Sequence, residues 1–225
     1  MKLFLIIPIF LILFCSVTVQ AQDTRGIKWG LFGSLSNTNV GYFKPFSRNS
    51  ITGYKAGLFV SKSLNYKYEF SLMIGLSRYG QRSYNSTRII VMPNYDSTFY
   101  SINKDVFTFV NVSPKIRYYP FSIGSFIPFL GFGFMGGYLL KSKNFLYNND
   151  GQLKSKLNQT SGFYKINYGV NVEIGTKIKF NKPGKSFLLS FSYEPGLANI
   201  IHTRSMDPKF SYKTNAINLN IFIPF

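Results

Sequence analysis

The sequence predicts an all-β fold, an eight-stranded antiparallel up-and-down transmembrane β-barrel. Three observations carry that prediction. Apolar residues recur at every second position in eight runs of about nine to thirteen residues. The links between those runs alternate in length, long then short, from the first to the last. Charged residues make up 15% of the chain, against about 25% in an ordinary soluble domain, while aromatics reach 18% and favour strands.

The chain begins MKLFLIIPIFLILFCSVTVQA. Lys2 precedes an apolar core, and a short polar stretch ends at Ala21, the pattern of a cleavable secretory signal peptide over residues 1–21. The apolar run is too short for a spanning helix, and the lysine is on the wrong side of it for a stop-transfer flank. Residues 22–225 then form the barrel domain. The only cysteine, Cys15, leaves with the signal peptide. Phe14 stands before it, where a lipoprotein signal has a small residue. The mature chain is therefore expected to have no disulfide.

The first run is IKWGLFGSL (27–35), with Trp29, Leu31 and Leu35 on one face. The second is ITGYKAGLFVS (51–61), where Tyr54, Ala56, Leu58 and Val60 oppose Gly53, Lys55, Gly57 and Phe59. In YEFSLMIGLS (68–77) the alternation of Phe70, Leu72, Ile74 and Leu76 against Glu69, Ser71, Met73 and Gly75 is very clean. VFTFVNVSPKIRYY (106–119) sets Val110, Val112 and Ile116 against Asn111, Ser113, Lys115 and Arg117, and Pro114 removes one ladder donor from it. IPFLGFGFMGGYLL (127–140) has Phe132 and Phe134 against Gly131 and Gly133. FYKINYGVNVEIGTK (163–177) sets Tyr164, Ile166, Tyr168 and Val172 against Lys165, Asn167, Asn171 and Glu173. SFLLSFSYE (186–194) presents Phe187, Leu189, Phe191 and Tyr193 on one side, with Glu194 on the other. AINLNIFIPF (216–225) closes the chain, with Ile217, Leu219, Ile221, Ile223 and Phe225 opposing Asn218, Asn220 and Phe222.

The links at 36–50, 78–105, 141–162 and 195–215 are long, and those at 62–67, 120–126 and 178–185 are short. A soluble sandwich has no reason to sort its links in this way, whereas a membrane meander has short periplasmic turns and longer external loops. Eight strands enclose a space only wide enough for side chains to fill. Glycine, serine and asparagine suit it, and Lys55, Glu69, Lys115, Arg117, Lys165, Glu173 and Glu194 are expected to pair within it, because unpaired buried charge is costly. The large apolar face then meets lipid, with Tyr42, Tyr54, Tyr79, Tyr118, Tyr138 and Tyr193 as candidates for interfacial girdles.

The stretches GYKAGLFVS, VNVSPKIRYYPF, PFLGFGFMGGYLL and YKINYGVNVEIGTKI, behind a signal peptide, resemble the small outer-membrane β-barrel domain proteins of Bacteroidetes, the group that includes PorT-like proteins. The resemblance extends over roughly 22–225 and departs in the fourth strand, where Asn111-Val112-Ser113-Pro114 has no acid. It implies an OmpA/OmpX-like architecture in the outer membrane of a Gram-negative bacterium. For PorT-like members it implies a link to a secretion and gliding apparatus.

The chemistry expected is sparse. No phosphate loop, dinucleotide fingerprint or metal-ligand spacing occurs, so no cofactor, metal or catalytic residue is predicted. Lys and Arg number 26 against 8 Asp and Glu, a net charge of +18, yet no nucleic-acid motif accompanies it. The expected partners are outer-membrane lipids, lipopolysaccharide, the outer-membrane assembly machinery, and a protein met through loops 81–104 and 141–162. Lys141, Lys143, Lys154 and Lys156 lie in the second of these loops. The function expected is structural or interactive, as an accessory to a secretion or surface apparatus. The alternatives are a narrow transport pore and a lipid-modifying enzyme using His202, near Ser205 and Asp207. Because the terminal aromatic resembles an assembly signal, deleting Phe225 is expected to reduce the heat-modifiable, membrane-inserted fraction on gels by more than the loss of one packed side chain would. Unchanged insertion would refute that role.

Overall fold

The computed structural model describes residues 26–40, 50–92, 95–148, 150–158, 160–180, 186–198 and 213–225. They form nine strands: β1 (Lys28–Val40), β2 (Ile51–Ser63), β3 (Tyr68–Met92), β4 (Tyr95–Tyr118), β5 (Phe126–Tyr147), β6 (Leu153–Asn158), β7 (Ile166–Lys179), β8 (Ser186–Pro195) and β9 (Thr214–Pro224). Eight of them close into a barrel. Each neighbour in the order β4-β3-β2-β1-β9-β8-β7-β5 pairs antiparallel, and β4 with β5 completes the ring. β6 lies outside the ring and pairs with the outer end of β5.

Closure depends on the last residues of the chain. β9 runs beside β1 from Gly30↔Pro224 to Val40↔Thr214. The Phe225 amide then donates to the Trp29 carbonyl at 2.9 Å, so the ladder continues past the proline. Phe225 itself is 76% exposed, on the outside of the barrel.

The period-two reading holds on all eight barrel strands. Leu35, Leu58, Ile74, Ile116, Phe132, Phe134, Ile174 and Ile221 face outward and are exposed. Serines, asparagines and charges from the alternate positions are buried. A surface so apolar, on strands so long, belongs in hydrocarbon, where every backbone group must find a partner within the sheet. The short connections make tight turns. Gly124 takes a φ of 55° in the hairpin where Ile123 and Phe126 exchange bonds of 2.8 and 2.9 Å, a geometry that glycine adopts without strain. At the β2–β3 turn the Asn65 side chain accepts from the Lys67 and Tyr68 amides, both at 2.8 Å.

Two of the expected links are mostly strand. β3 and β4 are 25 and 24 residues long, and their ladder runs without a break from Tyr68↔Tyr118 to Ile90↔Asp96. β5 likewise continues to Tyr147 and takes β6 onto its edge. The sequence of 81–104 mixes polar and apolar residues in both phases, so it displays no apolar-polar contrast although the backbone pairing persists.

Pro114 lies within β4 and does not end it. In the register with β5, which pairs Val112 with Gly136 and Lys115 with Gly133, it sits opposite Phe134. A proline has no N–H to offer the Phe134 carbonyl. The hydroxyl of the neighbouring Ser113, turned into the lumen, donates to that carbonyl at 2.8 Å. Ser113→Ala is therefore expected to cost about 1–3 kcal/mol, the usual penalty for an orphaned buried acceptor. Ser113→Ala combined with Pro114→Ala should recover much of it, as measured by urea unfolding in detergent micelles. Equal destabilisation in the single and double variants would disprove the substitution of one donor for the other.

Candidate functional site

The lumen is where the chain spends its unusual residues. Five charged groups form a chain across it. Lys177 reaches Glu69 at 3.5 Å, and Glu69 meets Arg117 at 3.1 Å. The Arg117 Nε lies 3.4 Å from Glu173, which also receives Lys115 at 3.4 Å. These side chains come from β3, β4 and β7. A second pair, Lys55 of β2 with Glu194 of β8, lies farther toward the outer rim. Glu194 also accepts from Asn171 at 2.7 Å and from the Tyr79 hydroxyl at 3.2 Å.

Aromatic rings fill the space between these charges. The Arg117 guanidinium lies 4.5 Å from the centre of the Phe222 ring and 5.3 Å from that of Phe129. Phe32, Phe59, Met73, Tyr119 and Leu188 pack around those two rings. Toward the outer rim Tyr79, Phe107, Phe109 and Leu139 form a second buried cluster. Glycines make room for the large groups: Gly131 faces Glu173 and Arg117, and a Cβ on Gly133 would meet the Pro114 carbonyl and the Lys115 side chain. Beside Lys55, Asn111 and Glu194 lies a cavity of about 20 Å³, room for a single water. At the periplasmic mouth a cleft of about 210 Å³, lined by Tyr66, Tyr119, Lys177 and Lys179, opens to solvent.

Six of the seven charges expected inside are there: Lys55, Glu69, Lys115, Arg117, Glu173 and Glu194. Lys165 is not. It precedes β7 and is exposed, because the strand begins at Ile166, three residues later than the run at 163 implies. Lys177 takes its place, at the end of β7 in phase with Glu173. Among the girdle candidates, Tyr54 and Tyr138 are exposed on the outer surface. Tyr118 and Tyr193 are half-buried. Tyr79 is fully buried in the lumen instead, since it shares the phase of Glu69 and Ser77. Trp29, Tyr68, Phe126 and Phe225 supply aromatics at the periplasmic rim. Tyr42, His202, Ser205, Asp207 and residues 1–21 lie outside the described residues. Among the described residues no group of three or more His, Cys, Asp or Glu is placed to hold a metal ion.

A closed, lipid-facing barrel with a filled lumen agrees with the comparison to known families. The family model of the outer membrane protein beta-barrel domain matches residues 20–202. The chain belongs to that family. No curated protein sequence matches it. Among solved structures the barrel is similar to Neisserial surface protein A at 10% identity, covering 88% of this chain and 97% of that one with a TM-score of 0.43. It is similar to Ail, the attachment invasion locus protein of Yersinia pestis, at 12% identity, covering 88% and 97% with a TM-score of 0.35. It is similar to OprG of Pseudomonas aeruginosa at 16% identity, covering 88% and 91% with a TM-score of 0.36. These are likenesses of architecture alone.

Glu173 neutralises two cations at once, and Ser190 also donates to it. Glu173→Gln should leave Lys115 without its carboxylate and lower the unfolding free energy by about 3–5 kcal/mol, the cost of breaking a buried pair. Adding Lys115→Met should restore part of that loss. Trp29, the only tryptophan and 58% exposed on the lipid face, reports unfolding by its fluorescence. A Glu173→Gln barrel as stable as the wild type would show that the chain of charges contributes nothing.

Proposed function

We propose that the protein is a non-enzymatic outer-membrane β-barrel with a structural or interaction role, exported by a cleavable signal peptide over residues 1–21 and carrying its barrel on 22–225. The observation that carries this reading is the contrast between the lumen and the outer end. Paired charges and rings occupy the lumen. β3, β4 and β5 meanwhile run on beyond the barrel as a sheet, with β6 on its edge. Past the Ser50↔Gln81 bridge β3 has no strand partner on its β2 side among the described residues. A sheet edge that runs beyond the barrel is a surface to which another chain adds by backbone pairing.

The partners that follow are outer-membrane lipids and lipopolysaccharide around the barrel, the assembly machinery during insertion, and a protein bound through 81–104 and 141–162. Within this reading the chain is a PorT-like barrel of the Bacteroidetes type, an accessory to a secretion or surface apparatus. The support is the family membership together with the stretch VNVSPKIRYYPF.

Replacing residues 83–103 with a two-residue Asn-Gly turn is expected to leave a heat-modifiable barrel in the membrane and to abolish co-purification of the cross-linked partner from native membranes. Recovery of the same partner by the trimmed chain would refute the interaction role of the hairpin. In planar bilayers the purified full chain is expected to give no stepwise conductance. Stable channels would return the pore to first place.

A further inference from the structure

Above the lipid-facing belt the outer surface of β3, β4, β5 and β6 changes from apolar to cationic. The change depends on a bulge. Along most of β5 the odd-numbered residues face the lumen, as Gly131, Gly133, Gly137 and the buried Leu139 do. Phe109 pairs with Leu139, but the next residue, Thr108, pairs with Lys141, so Leu140 is an extra residue on β5. Beyond it the phase is reversed. Ser142 is buried, and the Asn144 side chain donates inward to Asp105 at 2.7 Å. Lys141 and Lys143 therefore stand on the outside, just beyond Tyr138 and Leu140, where an unbroken strand would have buried them.

Neighbouring strands bring more cations to the same face. Arg78 of β3 pairs in register with Thr108, the residue that also pairs with Lys141. Lys104 of β4 lies between Arg82 and Phe145. Lys156 of β6 pairs with Phe145, and its ammonium lies over that ring at 5.8 Å. Among the described residues the ion pairs all lie in the lumen, and none reaches Arg78, Lys104, Lys141, Lys143 or Lys156. The nearest acid in the register, Asp105, points inward and accepts from Gln81 and Asn144. The cluster repels itself: Lys141 and then Lys156 hold the Lys143 ammonium below the usual lysine range. Burial, with Arg78 and Arg82 close by, holds Lys104 below it as well.

We propose that this outward face of β3, β4, β5 and β6 docks the phosphate groups of lipopolysaccharide in the outer leaflet, with Lys141, Lys143, Lys156, Lys104 and Arg78 as the contacts. Three features select that occupant. The patch continues the lipid-facing stripes of the same strands, below which lie Leu76, Val112, Tyr138 and Leu140. It therefore sits at headgroup level. It faces sideways, along the membrane, so it meets a neighbour in the leaflet sooner than a ligand arriving from solution. It is an array of ammonium and guanidinium donors that no ion pair among the described residues neutralises, which suits clustered phosphates. The inference rests on the outer-membrane reading above.

The test uses the purified full chain in detergent, with lipid A carrying its phosphates as the probe and dephosphorylated lipid A, inorganic phosphate and a sulfated oligosaccharide as comparators. Native mass spectrometry is expected to retain phosphorylated lipid A on the wild type, with binding that weakens as salt rises. Lys141→Gln with Lys143→Gln and Lys156→Gln should weaken that binding by about tenfold or more, since each surface cation contributes separately to holding an anionic headgroup. The corresponding triple Arg variant should keep it. Lys28→Gln with Lys179→Gln, at the periplasmic rim, should not change it. Equal retention by the triple Gln variant, or equal binding of dephosphorylated lipid A, would overturn the proposal. Displacement of lipid A by inorganic phosphate or the sulfated sugar at matched charge concentration would overturn it in favour of a soluble polyanion. Membrane fractionation of the same proteins separates the two readings. A wild type absent from the outer membrane defeats the placement, whereas inserted barrels that bind lipid A regardless of the lysines defeat only the docking.

Discussion

Everything in this structure follows from the demand that no backbone amide or carbonyl be left unpaired in hydrocarbon. An open sheet fails that demand along both edges, so the sheet must close. Closure with eight strands fixes the width of the interior, and the interior then dictates which residues it can hold. The β1–β9 seam, reaching as far as the Phe225 amide, is where the demand is finally met. The Ser113 hydroxyl answers the same demand at the level of one atom, where Pro114 has no N–H for the facing strand.

The interior solves a second problem with the same parts. Phenylalanine, glutamate and arginine would each be a poor lumen residue alone. Together they interlock, with Arg117 held between Glu69 and Glu173 and lying against Phe222. Glycine on one strand makes space for a large group on the next, as Gly133 does beside Lys115. The result is a packed lumen, and it moves any dealings with other molecules to the two ends and the outer wall.

The eight barrel strands were legible because each separates two unlike environments, lipid outside and a packed lumen inside, and that contrast is written as alternation. Legibility ended where the contrast ends. The outer halves of β3 and β4 read as loop because polar and apolar residues there share both phases. Lys165 keeps the phase of Glu173 but stands before Ile166, where β7 begins, so phase alone could not place it. Tyr79 was misjudged although Glu69 and Ser77 of the same strand carried the correct phase. The bulge at Leu140 left no mark in the sequence. An inserted residue shows only in the register between two strands, and a single chain read alone contains no register.

The ion pairs also bear on how the barrel is built. They join β3 to β4, β3 to β7, β4 to β7 and β2 to β8, so most link strands far apart in the chain. The β3–β4 hairpin brings Glu69, Lys115 and Arg117, and β7 adds Glu173 and Lys177, so Lys115 has no carboxylate partner until β7 is in place. The pairs between β4 and β7 and between β2 and β8 exist only where those strands face each other across the lumen, so curling the sheet, and not any single hairpin, is what compensates the charges.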